Sequence, residues 1–449
     1  MRSPASGQYI SLPSSVRSAI LLSFALTSVC FLTELVCHFV LHLHGPYDWP
    51  LPPFSSRFCD FEIFEDIFLN FHSARFFNPH GMLFSYPPAA AGVLAGFYLI
   101  PKPLTVFLLS MMACFLTAGL LLRRKLHGEH LATGSAIAIL LFFALSYPLW
   151  IEIQQANCEW LVWLILTIGL CAFLKDMPRI AAICIGLATA IKLYPVILLG
   201  LFLARRKYSQ AALGIGTSVV ATVASLWLES GSVVTSWKGT VEGMGALRHG
   251  YVLRLQFFWD HSLLALVKQI FVFGHSLLGG SAQSLSTNLP VQMDRFYVLA
   301  CGLAGVVLFF TRIAKLPQVN QILALSVACV LVPPLSMDYT IIQLFLPCAL
   351  LILIAIRSAK TSPEASIPGL QLALLLMAIL FAPETELTFR GHTASNMLRT
   401  LALLALFIVS LRYPFESEVS ALDESSVLAD EDESDTSSQL LPEPTAAIR

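Results

Sequence analysis

The sequence predicts an all-α protein that crosses a membrane many times. Of its 449 residues, 56% are apolar and only 12% are charged, and the mean hydropathy is +0.74. A soluble domain carries about 25% charged residues. Long apolar runs also alternate with short basic clusters along the chain. These observations exclude a large cytosolic or secreted catalytic domain.

The distribution of charge divides the chain into two parts. The segment from Glu416 to the end contains ten acidic side chains and one basic side chain, so the rest of the chain is net positive. A segment rich in serine and acid buries too little apolar surface to fold. We therefore predict a polytopic membrane domain at 1–414 and a disordered acidic cytoplasmic tail at 415–449. Asp430 and Asp432 have DxD spacing, but no nucleotide-binding domain surrounds them.

The order of the membrane helices follows from the apolar runs and the basic clusters. About 20 apolar residues are needed to cross the hydrocarbon core, and short loops rich in Lys and Arg stay cytoplasmic. The first apolar run, about 19–40, is predicted to be an uncleaved signal anchor. In total we predict about ten to twelve crossings. The other predicted helices lie near 104–122, 131–149, 159–174, 208–228, 295–312, 318–334, 340–356, 367–383 and 396–411.

Two apolar segments do not fit simple crossings. The segment 88–103 ends in a Pro-Lys-Pro turn, and 180–204 is interrupted at 192–195. Backbone breaks at membrane depth are tolerated only beside protein or a water-filled cavity. Both segments are therefore predicted to be broken or re-entrant helices beside a cavity.

The first large outer loop, 45–103, collects polar and aromatic residues. It contains Asp60, Glu62, Arg75 and the aromatic turn around Tyr86. Such a loop between two membrane helices indicates a partly buried interfacial segment. A solvated connector with aromatic anchors at the headgroup level is the alternative.

Lys192 is an ionisable residue inside a strongly apolar run. Ionisable residues at membrane depth are costly and commonly functional. Because Tyr194 and Pro195 follow and break the helix, we favour a lysine that faces a cavity and binds an anionic ligand. A lysine that snorkels to the interface is the alternative. Asn157 lies one predicted helix earlier in the chain.

Further polar residues lie in the second large outer loop, 229–294, and near 334–339. The loop carries Arg254, Asp260 and His261, and the later turn carries Asp338. Ser, His and Asp that are adjacent along a chain cannot face one another, and the sequence has no nucleophile elbow, so a serine hydrolase is disfavoured. Most cysteines lie in apolar runs without CxxC spacing, which indicates neither zinc nor a disulfide framework.

In their order along the chain these residues resemble glycosyltransferase family 87, the polyprenyl-phosphate-mannose-dependent α-mannosyltransferases with the multi-spanning GT-C fold. The resemblance covers roughly residues 50–345. At 260–263 this chain has Asp-His-Ser-Leu where the family often has Asn-Gln-Ser-Leu, and 334–339 replaces a Ser-Pro-x-Ser-Trp-x-His-His motif. The best-matching elements are Asp60-Phe61, the turn 84–88, Asn157, the break 192–195 and the basic cluster 205–207.

The resemblance implies a GT-C-like enzyme that moves a hexose, mannose in the family, from a polyprenyl-phosphate donor to a glycan or lipid-linked acceptor. In an inverting transfer a carboxylate removes the acceptor proton, and cations stabilise the phosphate leaving group. The implied base is Asp60, with Glu62 in reserve. The implied phosphate contacts are Lys192, Arg75, Arg254 and His261, and the implied sugar contacts or cavity-lining residues are Tyr86, Asn157, Tyr194, Asp260 and Asp338.

The expected partners are the lipid-linked donor, the glycan or glycolipid acceptor and membrane lipids, without nucleic acid. No cofactor is predicted, although Asp60, Glu62 and Asp66 offer oxygen ligands to a divalent ion. We expect a multi-pass protein of a bacterial inner membrane, with an extracytoplasmic active site. The alternatives are a transporter or flippase of a lipid-linked substrate, an O-antigen-ligase-like glycan transferase, and a structural membrane protein without a site.

Overall fold

The computed structural model describes residues 10–40, 57–77, 83–255, 260–278, 289–361, 367–383, 388–389, 392–393 and 397–415. This part is mainly helical, and its β structure consists of one antiparallel pair of two-residue strands, Thr388–Phe389 and His392–Thr393, and two isolated bridges. The all-α fold is therefore confirmed. The predicted acidic tail lies outside the described residues from position 416 onward.

Eighteen α-helices follow one another in the described part of the chain. They are α1 (Ser14–Leu35), α2 (Cys59–Glu62), α3 (Glu65–Phe68), α4 (Pro88–Tyr98), α5 (Pro103–Gly128), α6 (Thr133–Ala144), α7 (Tyr147–Gln155), α8 (Glu159–Leu174), α9 (Pro178–Ile191), α10 (Gly200–Ala204), α11 (Tyr208–Ser230), α12 (Val233–Leu247), α13 (Leu263–Leu277), α14 (Leu289–Thr311), α15 (Gln318–Leu331), α16 (Phe345–Thr361), α17 (Leu370–Phe381) and α18 (Met397–Arg412). Short 3₁₀ segments, among them Tyr194–Leu199 and Asp338–Leu344, join some of them.

Five described spans are long and apolar enough to cross a membrane. They comprise α1, α5, α11, α14 with the turn after it, and α16 with the 3₁₀ segment before it. The bent pair of α6 and α7 would make a sixth, and seven further apolar segments have 10–17 residues. The chain is thus a multi-pass membrane protein. The prediction of ten to twelve crossings requires the shorter segments to cross as well.

One predicted straight helix, near 131–149, is two helices. The axis bends by 43° between α6 and α7. Pro148 lies in the first turn of α7, where it has no N–H to donate and where its ring would clash with a helical carbonyl four residues earlier. A new helix begins there instead, and it continues to Gln155, beyond the end of the predicted helix.

Both irregular segments are broken helices. α4 ends at Tyr98 and α5 begins at Pro103, so the Pro-Lys-Pro turn separates them. α9 ends at Ile191, and the chain passes through the 3₁₀ segment Tyr194–Leu199 into the short α10. The backbone break predicted at 192–195 is therefore present.

The region predicted as the second large outer loop contains two more helices, α12 and α13. Each begins with a serine cap that the sequence analysis overlooked. The Ser232 hydroxyl accepts a hydrogen bond from Thr235 N at 3.4 Å, and the Ser262 hydroxyl accepts one from Ala265 N at 3.0 Å. Serine is a preferred residue at this position because it satisfies an N–H of the first helical turn.

Close packing of α9 against α11 holds the broken segment in place. A Cβ atom built on Gly186 of α9 would overlap the backbone carbonyl oxygen of Gly214 in α11. Small residues allow such close approach of membrane helices. The position of the chain break after α9 thus depends on a contact that has no room for a side chain.

We expect Gly186→Ala to lower stability by about 1–3 kcal/mol, because the added methyl group must displace the α11 backbone. Thermal unfolding of the detergent-purified protein measures the effect. Gly216→Ala in α11 is the control, since no atom lies within 4 Å of its Cβ position. Equal melting temperatures for the two variants would contradict the close contact.

Candidate active site

The short helix α2 presents Asp60 and is anchored on both sides. Phe58 N, just before the helix, donates a hydrogen bond to Gln154 O of α7 at 2.7 Å. The Tyr98 hydroxyl of α4 donates to the carbonyl of Phe61, and the two rings stack with centroids 4.4 Å apart. The backbone that carries Asp60 is therefore fixed against α4 and α7.

Asn157 joins Asp60 to Tyr86. Its Nδ2 lies 2.6 Å from Asp60 Oδ2 and 2.8 Å from the Tyr86 hydroxyl. The Asn157 side chain is itself fixed, because its Oδ1 accepts a hydrogen bond from Glu159 N at 3.1 Å. Burial raises the pKa of Asp60, while the hydrogen bond from Asn157 and the charge of Lys192 act in the opposite direction.

Lys192 lies at the break after α9 and points into the same group of residues. Its Nζ is 3.6 Å from Glu159 Oε2. It also lies 4.4 Å from the ring centroid of Tyr86 and 5.6 Å from that of Tyr339. These distances allow cation–π attraction in addition to the ion pair. With its side chain 14% exposed, Lys192 is held among carboxylate and aromatic groups.

Glu159 connects three parts of the chain. It is 0% exposed and is the first residue of α8. Its Oε1 accepts a hydrogen bond from Gln343 Nε2 at 2.8 Å and another from the Tyr194 hydroxyl. We call the residues joined in this way the Asp60 group. They are Asp60, Tyr86, Asn157, Glu159, Lys192, Tyr194, Tyr339 and Gln343.

The predicted site residues do not include Glu152, Glu159, Tyr339 or Gln343. Glu152 is also 0% exposed, and its Oε1 accepts a hydrogen bond from Trp160 N at 2.9 Å. The rule that singled out Lys192, an ionisable residue inside an apolar region, applies equally to Glu152 and Glu159. That signal was therefore present in the sequence.

His261 and Asp338 lie in a different polar network with Arg399. Arg399 Nη1 is 2.6 Å from Asp338 Oδ2, and His261 Nδ1 is 3.2 Å from Asp338 Oδ1. The Tyr147 hydroxyl donates a hydrogen bond to Asp338 at 2.8 Å. Asp260 Oδ1 accepts hydrogen bonds from Ser262 N and Ser336 N. We call this set, Tyr147, Asp260, His261, Ser336, Asp338 and Arg399, the Asp338 network.

The Asp338 network contains a serine, a histidine and an aspartate in line. Ser336 Oγ lies 3.0 Å from His261 Nε2, in the order of a hydrolase triad. However, all three side chains are buried and the aspartate is already paired with Arg399. The arrangement therefore fastens the 260–262 segment to the 334–340 turn and leaves no serine accessible to a substrate.

Three other predicted residues are exposed and stand apart. Within the described part of the chain, no hydrogen bond or ion pair joins Glu62, Arg75 or Arg254 to the Asp60 group. Asp260, His261 and Asp338, which were also predicted site residues, lie in the Asp338 network and not in the Asp60 group. Asp60, Tyr86, Asn157, Lys192 and Tyr194 are the predicted residues that the fold brings together. The described residues include no cluster of three or more His, Cys, Asp or Glu side chains that could hold a metal ion.

We expect Arg399→Met to cost about 3–5 kcal/mol of stability, because it leaves the buried Asp338 carboxylate without its cation. Arg357→Met is the control. Arg357 is 40% exposed and shares Glu129 with Lys360, so its loss should cost about 1 kcal/mol or less. Thermal unfolding in detergent compares the two variants, and a smaller loss for Arg399→Met would refute the structural role of the network.

Comparison with known proteins identifies a family. The model of glycosyltransferase family 87 matches residues 84–337, more than half of the chain. This match includes Tyr86, Asn157, Glu159 and Lys192. No curated protein and no solved structure matches the chain. The resemblance found in the sequence is confirmed, and it favours an enzyme over a transporter, a flippase or a purely structural protein. The chain belongs to glycosyltransferase family 87 and is a membrane glycosyltransferase.

Proposed function

We propose that the enzyme transfers a hexose, mannose by resemblance to the family, from a polyprenyl-phosphate donor to a glycan or lipid-linked acceptor. The observation that carries the proposal is the presence of a half-buried carboxylate, Asp60, and an ammonium that acts on it electrostatically, Lys192, in one group of residues. A carboxylate and a cation are the two charged groups that transfer from a phosphate leaving group requires. We place the reaction at the extracytoplasmic face of a bacterial inner membrane.

The proposed reaction is a single displacement. Asp60 accepts the proton of the acceptor hydroxyl while that oxygen attacks the anomeric carbon. The bond between this carbon and the phosphate oxygen breaks, and the electron pair leaves with the polyprenyl phosphate. Lys192 stabilises the charge that develops on the phosphate. Attack from the opposite face inverts the configuration at the anomeric carbon, and Asp60 then releases its proton to water.

The surroundings of Asp60 support its assignment as the base. Burial raises its pKa, which strengthens its basicity, and its hydrogen-bond donor, Asn157, is neutral. The exposed Glu62 is the reserve base. The aromatic residues Tyr86, Tyr194 and Tyr339 are proposed to line the sugar site with Asn157. Arg75 and Arg254 are second-rank phosphate contacts because both are exposed and lie apart from the Asp60 group.

We expect Asp60→Asn to lower transfer by about 10²–10⁴-fold, because the amide cannot accept the acceptor proton. The assay follows a labelled sugar from polyprenyl-phosphate mannose to an acceptor with purified protein, and membrane insertion is checked separately. Asp66→Asn, an exposed carboxylate of α3, is the matched control. Near-normal activity of Asp60→Asn would reject the assignment, and loss in Glu62→Gln instead would move the role to Glu62.

The pH profile tests the contact between Asp60 and Asn157. Asp60 acts as a base only when ionised, so kcat/KM falls as the pH drops through its pKa. The hydrogen bond from Asn157 lowers that pKa, because it stabilises the ionised form. Asn157→Ala is therefore expected to move the acid limb of the profile to higher pH. An acid limb that stays in place would show that this hydrogen bond does not tune the base.

A further inference from the structure

Three carboxylates, those of Glu159, Asp60 and Glu152, act electrostatically on the Lys192 ammonium. Lys192 pairs with Glu159 at 3.6 Å, whereas Asp60 receives its hydrogen bond from the neutral Asn157. Lys192 nevertheless acts electrostatically on Asp60. In surroundings of low dielectric an ammonium and a carboxylate attract strongly. The protonation of Asp60 therefore depends on which carboxylate Lys192 pairs with.

Glu159 is built to hold that ammonium. Its carboxylate accepts hydrogen bonds from Gln343 and Tyr194, which approach from two other segments of the chain. Its position in the first turn of α8 also favours a negative charge, because the N-terminal end of a helix is positive. The rings of Tyr86 and Tyr339 lie beside the same ammonium. Glu159 is therefore fixed before any substrate binds.

We propose that Glu159 is a positioning residue, which holds the Lys192 ammonium apart from Asp60. The proposal rests on the proposed function. While Lys192 stays with Glu159, Asp60 remains available to accept a proton, and the ammonium remains available to the donor phosphate. Without the charge of Glu159, Lys192 pairs with Asp60, and the base and the phosphate contact are lost together.

Among the described residues, Lys192 is the cation given as acting electrostatically on Asp60. The titratable groups in electrostatic contact with Asp60 are Cys59 on its own helix, Tyr86, Glu152, Cys158, Lys192 and Tyr339. The others are one carboxylic acid, two thiols and two phenols. A change in the partner of Lys192 therefore has a defined sign: an ammonium that moves toward Asp60 favours the ionised carboxylate.

The test is the pH profile of Glu159→Gln in the transfer assay with polyprenyl-phosphate mannose. We expect kcat/KM to fall about 100-fold, as displaced reacting groups cause, and KM for the donor to rise. The acid limb should move to lower pH, opposite to the shift expected for Asn157→Ala. A merely structural role would lower the amount of active enzyme and leave the limb in place, and that result overturns the proposal.

A double-mutant cycle tests whether Glu159 affects activity through Lys192. In a Lys192→Gln background, Glu159→Gln should cause little further loss, because its effect passes through Lys192. If the reduction in kcat/KM of the double variant equals the product of the two single reductions, the proposal is overturned. Glu159→Asp retains the charge and should keep the acid limb of the wild type; a shift like that of Glu159→Gln would also overturn it.

Two controls distinguish a loss of folded protein from a specific effect on the acid limb. Glu229→Gln removes a carboxylate of α11 that is also 0% exposed but lies outside the Asp60 group, and it should leave the acid limb unchanged. If Glu159→Gln does not fold, the combined variant Tyr194→Phe and Gln343→Leu removes the groups that fix Glu159. That variant should shift the limb in the same direction, and an unshifted limb overturns the proposal.

The base assignment fails independently of this proposal. Activity that persists in Asp60→Asn rejects the proposed base, whatever the behaviour of Glu159→Gln. An inactive Asp60→Asn together with an unshifted limb in Glu159→Gln retains the base and rejects only the positioning role.

Discussion

A charge in apolar surroundings needs a partner, and the pairing of Lys192 with Glu159 satisfies that constraint for the whole candidate site. Lys192 stands where α9 stops, and Glu159 stands where α8 begins. The hydrogen bonds from Tyr194 and Gln343 bring the 3₁₀ segments Tyr194–Leu199 and Asp338–Leu344 onto the same carboxylate. The ion pair therefore links the break after α9 to the candidate site.

The Asp338 network has a structural role, although it is built from residue types similar to those of the Asp60 group. Asp338 is neutralised by Arg399 and held by Tyr147 and His261. Its neighbour in the chain, Tyr339, lies beside Lys192. The turn at 334–340 therefore has Ser336 and Asp338 in the Asp338 network and Tyr339 in the Asp60 group, and the buried network orients an aromatic ring of the candidate site.

The sequence predicted the broken helix and several polar residues because each stands out against an apolar background. Asp60, Asn157 and Lys192 were recognised in this way, and the fold brings them together. The sequence does not show which of these polar residues contact one another in the fold. Nothing local shows that Arg399 would reach Asp338, so His261 and Asp338 were expected at the substrate site. The sequence places Glu159 beside Asn157 at the start of a helix, but nothing local shows that its carboxylate meets Lys192, Tyr194 and Gln343. A straight helix was predicted near 131–149, although Pro148 indicates a helix break there.

Membrane chemistry explains how so few charged groups suffice. In the proposed reaction the donor is anchored by its lipid and so is already concentrated in the bilayer, and its phosphate leaves without a proton. The protein then needs one base and one cation, each desolvated but not neutralised by the other. Two charges in an apolar site attract strongly enough to pair and so to lose their reactivity. A third charge solves this problem when it is fixed by hydrogen bonds, as Glu159 is, because it takes the cation as a partner and leaves Asp60 with a neutral one.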